Sequence, residues 1–227
     1  MKKIILSFSA LPVLLLAACS NPADNVPAAQ VSASTNSAAS APAGAETRTF
    51  AFGPASSIIQ FTGSKVTGKH DGGFTNFVGE LRVADGKIAN TGNKVVIAID
   101  SMWSDSDRLT GHLKSPDFFN APEFPTSVFE TSSVSGSGTN STVTGNLTLH
   151  GVTKQISFPA NISVSQDRVT LKAEFFIDRF DFEMKYPGKA DDLIRKEVVL
   201  KLDVAATPGS ADFSPLTKPS AAASAGQ

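Results

Sequence analysis

From Val152 onward the chain alternates apolar and polar residues with a period of two, and that period leaves very few folds open. Val152, Ile156, Phe158, Ala160, Ile162 and Val164 share one face, opposite Thr153, Gln155, Ser157, Asn161, Ser163 and Ser165. The pattern returns in Val169, Leu171, Ala173, Phe175 and Ile177, and again in Val198, Leu200, Leu202 and Val204. Each run describes a strand buried on one side. Gln166-Asp167 supplies the turn between the first two, and Pro159, which has no N–H to give a ladder, predicts a bulge or bend. Less regular strands are expected at about 56–66, 74–83, 94–101, 127–135 and 141–150, with turn signals at Asp71-Gly-Gly73, Ala84-Asp-Gly86 and Ser135-Gly-Ser-Gly138. About eight antiparallel strands, each with one apolar face, need a surface to bury it. A closed barrel or a two-sheet sandwich would serve, and the barrel also removes exposed edges.

These strands lie between two segments of another kind. Residues 20–46 and 207–227 are mostly Ala, Ser, Pro, Asn, Gly and Thr, so both are expected to be disordered, the first as a tether several nanometres long. The domain from 47 to 206 has roughly 160 residues, an ordinary size for one core. No repeat is visible in it. Before the tether, residues 1–19 carry two lysines, an apolar run from Ile4 to Leu16 and then Leu-Ala-Ala-Cys19. That is the form of a secretory signal, too short to serve as a comfortable permanent span. Its end resembles the bacterial lipobox, which implies that Cys19 is acylated and becomes the new N-terminus. Ser20 in place of Asp then points to the outer membrane by resemblance to enterobacterial sorting. The expected location is the bacterial cell envelope, on the periplasmic side of a membrane. Cys19 is the only cysteine, so no intrachain disulfide is available.

Between the early and late strands, Leu109 and Leu113 are four apart, which puts them on one face of a short helix with Ser104 or Asp105 as N-cap and Pro116 beyond its end. Phe118, Phe119 and Phe124 follow among prolines, a composition suited to plugging the end of an apolar container. Phe180, Phe182, Met184 and Tyr186 alternate against Asp181, Glu183 and Lys185, and either border the same mouth or form a ninth strand or a core-covering loop. The chain has 16 phenylalanines, all but Phe8 and Phe213 inside the domain. Those rings either fill the barrel or line a cavity, and the residues alone leave both open.

Chemistry is sparse. His70, His112 and His150 form no ligand-spaced pair, and strand phase puts His150 on the polar face, outside the barrel. There is no Gly-x-Ser-x-Gly and no phosphate-binding glycine loop, so an enzyme is not expected. The formal charge is −1, without a basic stripe, which argues against nucleic acid.

The sequences His-Leu-Lys-Ser-Pro-Asp-Phe-Phe-Asn at 112–120, Glu-Phe-Pro-Thr-Ser-Val-Phe-Glu at 123–130 and Gly-Asn-Leu-Thr-Leu-His-Gly-Val-Thr-Lys at 145–154 closely resemble the YceI-like family in content, order and spacing. The resemblance runs from about Arg48 to Ala206. It implies an all-β fold, an antiparallel lipocalin-like barrel of about eight strands with one short helix, in secreted bacterial proteins of which some hold a long isoprenoid chain. On that footing the expected ligand wall comprises Leu109, Leu113, Phe118, Phe119 and Phe129, with Phe158, Phe175, Phe180, Phe182 and Met184. The expected partners are a long-chain isoprenoid or quinone-like lipid and, through Cys19, a membrane; no cofactor or metal is implied. The alternative is a structural or stress-response lipoprotein with a packed barrel.

Overall fold

The computed structural model describes residues 21–34 and 47–217. The expected signal, Cys19, the rest of the tether and the end of the tail lie outside those residues. The strands are β1 (Gln30–Ala33), β2 (Thr47–Phe52), β3 (Ile58–Lys65), β4 (Gly68–Phe74), β5 (Phe77–Ala84), β6 (Lys87–Ile88), β7 (Lys94–Ala98) and β8 (Met102–Ser104). Helix α1 (Asp107–Leu113) follows, then β9 (Thr126–Ser135), β10 (Ser141–Leu149), β11 (Val152–Val164), β12 (Val169–Asp178), β13 (Gly188–Lys189), β14 (Asp192–Pro208) and a single turn, α2 (Ser214–Thr217).

Six of these strands are halves of bent staves. β2 pairs with β5 and β3 with β4, while β5 pairs with β7 and β4 with β8. Taking β2/β3, β4/β5 and β7/β8 as one stave each, β9, β10, β11, β12 and β14 complete an antiparallel barrel of 8 strands, closed where β14 returns to β3 and β2. Along β10 and β12 the alternation read from sequence is the burial pattern: Val143, Leu147 and Leu149, then Val169, Leu171, Ala173, Phe175 and Ile177, all face an apolar interior.

Local chemistry accounts for the departures from expectation. Asp71-Gly-Gly73 is no turn but part of β4, because Phe61 on the paired strand lies over it. A methyl group at Gly72 would sit 2.4 Å from a carbon of that ring. Pro159 causes no shift of register, since β11 follows β10 without interruption to Ala160↔Ser141; the bulge falls instead on β9, where Ser132 is the extra residue opposite Thr144/Gly145 of β10. His150 is not a strand residue. With Gly151 it makes the two-residue turn between β10 and β11, both at positive φ (51° and 74°), as that tight hairpin requires. The N-cap of α1 is Ser106, while Asp105 bonds to His70.

The largest correction concerns 20–46. Its residues 21–34 are ordered on the barrel, with a 3₁₀ turn at Pro22–Asn25 packed against β14 and β3 and with β1 in the wall. β11 and β12 pair only from Asn161↔Lys172 to Val164↔Val169 and then diverge, β11 following β10 and β12 following β14. β1 fills the opening. It runs antiparallel to β11 from Gln30↔Ser157 to Ala33↔Lys154. On its other side Ala29 N–H donates to the Phe176 carbonyl at 2.8 Å and Phe176 N–H donates to the Pro27 carbonyl at 3.0 Å. The start of the expected tail is ordered too: β14 reaches Pro208, and Ala211 N–H donates to Glu80 Oε2 at 3.1 Å.

Candidate ligand-binding cavity

One end of the barrel is capped by α1, by the plug that follows it and by the loop from Arg179 to Gly188. Ser106 Oγ accepts from Leu109 N–H at 3.4 Å to open the helix, and Lys114 closes it, leaving Pro116 just beyond. The plug then turns inward: Phe119 N–H donates back to the Leu113 carbonyl at 3.0 Å, and Phe118 is buried. Its ring centroid lies 5.2 Å from that of Tyr186 and 5.1 Å from that of His112, so the two stretches expected to form a mouth do meet.

Beneath the cap lies a cavity of about 200 Å³. Of the ten expected wall residues, Leu113, Phe118, Phe119, Phe129, Phe158, Phe175 and Met184 line it. Three do not. Leu109 is half-buried, one turn before Leu113, and does not reach the cavity. Phe180 and Phe182 were assigned to the wall by an alternation that holds only for extended chain, yet Arg179–Phe182 is a 3₁₀ turn ending in Glu183 at φ 60°. The turn sends Phe180 outward, 39% exposed, and buries Phe182 fully in the neighbouring core. The wall also takes residues that β-alternation could have supplied, among them Ile59, Phe61, Val198 and Leu200.

Two polar residues reach this wall, Ser127 and Arg179, and both are committed. Ser127 Oγ donates to the Thr148 carbonyl at 2.9 Å. Arg179, 3% exposed, is the residue sequence reasoning missed. Its Nε donates to the Arg195 carbonyl at 3.1 Å, Nη2 to those of Tyr186 at 2.8 Å and Ile194 at 3.3 Å, and Nη1 to that of Met184. Burial pushes its pKa below the usual arginine value, and the nearby Asp178 carboxylate opposes that shift. It remains a cation, pinning four carbonyls of the cap into one shape. The only sequence signal for it was a lone arginine between Asp178 and Phe180.

The histidines lie apart. His70 Nδ1 meets Asp105 Oδ1 at 2.8 Å, His112 Nε2 meets Asp117 Oδ2 at 2.8 Å, and His150 Nδ1 meets the Phe182 carbonyl at 3.1 Å. Among the described residues, no three His, Cys, Asp or Glu side chains are grouped to hold a metal ion.

The structural relatives share this architecture. BcnA of Burkholderia cenocepacia superposes with a TM-score of 0.61 at 21% identity over 69% of this chain and 99% of its own. A polyisoprenoid-binding domain from Saccharophagus degradans gives 0.56 at 17% identity, over 72% and 100%. In sequence, a UPF0312 protein of Shewanella denitrificans is 32% identical over 59% of this chain and 71% of its own length. A UPF0312 protein of Pseudomonas aeruginosa is 34% identical over 40% of this chain, and the match spans about half of that relative (48%). The stretch 50–206, from β2 almost to the end of β14, matches the YceI-like domain, and the chain belongs to that family.

Proposed function

We propose that this barrel binds the apolar chain of a lipid, a polyisoprenoid or a quinone-like molecule, inside its capped end. The observation that carries this reading is a cavity walled by Phe, Leu, Ile and Val whose two polar residues have already given their hydrogen bonds to the protein. Such a wall offers a ligand dispersion and burial and little else. Each methylene it covers contributes about 0.8 kcal/mol, so a chain is held by its length rather than by a head group. The Saccharophagus domain of similar fold, a polyisoprenoid binder, supports the same class of ligand. The volume fits a short run of carbons; ligand sites usually span about 300–1,000 Å³, so a long chain would have to move side chains or protrude. That volume favours the second reading, a packed envelope barrel without a ligand.

In this proposal Cys19 carries an acyl anchor and the protein sits on an envelope membrane, the outer one by the Ser20 rule. Asn21, two residues after Cys19, caps a 3₁₀ turn packed on the barrel, which makes the connection to the anchor short. The barrel then rides at the bilayer surface.

Mass spectrometry of organic extracts from the protein purified out of envelopes tests the binding. A reproducible long-chain lipid near one per protein is expected, and extracts without lipid favour the packed barrel. Leu113→Asp and Phe119→Ala should both lower the lipid content of folded protein, the charge more severely because an apolar chain against it offers no hydrogen bond in place of water.

A further inference from the structure

We propose that Pro27–Ala33 is a displaceable stave, and that its departure opens a lateral port between β11 and β12 through which an apolar chain enters and leaves the cavity. This rests on the apolar-chain reading above and says how the site is loaded.

The port is already framed. At one end the β11–β12 ladder stops at Asn161↔Lys172, and at the other the His150 turn touches the Phe182 carbonyl. Between those limits the two strands share no ladder, and what bridges them inside is the stacked pair Phe158 and Phe175, centroids 4.1 Å apart and 10° from parallel. Both rings line the cavity, as do Ile156 and Ile177 on the same two strands. The opening therefore leads directly to the ligand wall. β1 fits it as a true stave, since Val31 lies opposite the inward-facing Ile156 and packs on the core beside the buried Ala29.

The stave is also lightly held. It pairs four residues with β11, where β10 pairs nine, and its inward side chains are only alanine and valine. Segments with few buried apolar contacts open most readily. The capped end is the opposite case. It is closed by three packed rings and by four carbonyls drawn onto a buried guanidinium. A chain leaving by that end must break a charge-assisted cluster, whereas one leaving by the side displaces a few ladder bonds and two small side chains. The stave lies wholly before residue 50, where the family match begins, so the device belongs to this chain's own N-terminal segment.

The test uses the full chain with Cys19→Ser, so that introduced thiols are the only ones. Ser32 and Gln155 are directly paired, with side-chain oxygens 3.4 Å apart, and S32C with Q155C can lock the stave to β11. All-trans-retinol in phosphatidylcholine vesicles serves as a fluorescent isoprenoid probe. The oxidised lock should slow both uptake and release at least tenfold with equilibrium binding little changed, and a reductant should restore the rates. Val31→Asp, which loosens the stave, should speed them. By hydrogen exchange in the unlocked chain, the amides of Ala29 and Phe176 should open together, at least tenfold faster than those of the β10–β11 ladder. Equal retinol rates with the lock closed and open, or Ala29 and Phe176 amides as slow as that ladder, would overturn the port and leave the binding reading standing. Retinol that binds neither form, even after refolding in its presence, removes the binding reading and the port together.

Discussion

Arg179 shows what a single residue does for this site. Replaced by Met, it would leave the buried carbonyls of Met184, Tyr186, Ile194 and Arg195 without their donor, at a cost of about 3 kcal/mol in denaturant unfolding. Sequence could not announce that role, because arginine in a polar-looking stretch reads as surface until the turn at 179–182 folds it inward. Gly72 misled for the converse reason: Asp-Gly-Gly is ordinary turn chemistry, and only Phe61 on the paired strand explains why glycine is needed inside β4. A third residue couples stability to pH. Asp192 receives hydrogen bonds from Lys65 and from the N–H and hydroxyl of Thr67, and the Lys65 bond foremost holds its carboxyl below the usual value against some opposing burial. A depressed folded pKa means that its contribution is complete above the unfolded value and is lost as pH falls through the folded one. Asp192→Asn should accordingly lower the melting temperature at pH 7, and the gap from the unchanged protein should close as the pH drops below about 4.

Elements were legible in proportion to how regular their burial is. β10, β11 and β12 were readable almost to the residue because a barrel wall with a dry inside and a wet outside imposes a period of two. The stretch 179–186 carries the same alternation by coincidence, and its backbone does not honour it. β1 was hidden for a different reason. Gln-Val-Ser-Ala in an Ala/Ser/Pro context has too little apolar surface to make a strand alone, and it becomes one only because the divergence of β11 and β12 leaves donors and acceptors waiting. A chain that starts at Glu46 should still form the barrel by circular dichroism. It should unfold about 2 kcal/mol more easily than one that starts at Asn21, since Ala29, Val31 and both edges of the opening lose their cover. Equal stability of the two chains would mean that β1 contributes nothing to the wall.

At the scale of the whole molecule, staves that mostly pair with their sequence neighbours close into a barrel where β14 meets β3 and β2, leaving an apolar interior with a cavity of about 200 Å³ under the cap. The family resemblance chose the barrel over the sandwich, since alternation alone fits either. Seven of the ten residues expected in the wall line the cavity, because a strand residue that faces inward near the cap has nowhere else to go. The central claim is that an apolar chain occupies that interior. Isotope-filtered nuclear Overhauser spectroscopy with labelled farnesol reads this directly from methyl groups of known direction. The account predicts contacts from the farnesol chain to Leu147, Ile156 and Ile177, which face in, and none to Ile58 or Leu193, which are 49% and 51% exposed on the outside. Contacts confined to Ile58 and Leu193, or no contact at all in a protein that remains folded, would contradict it.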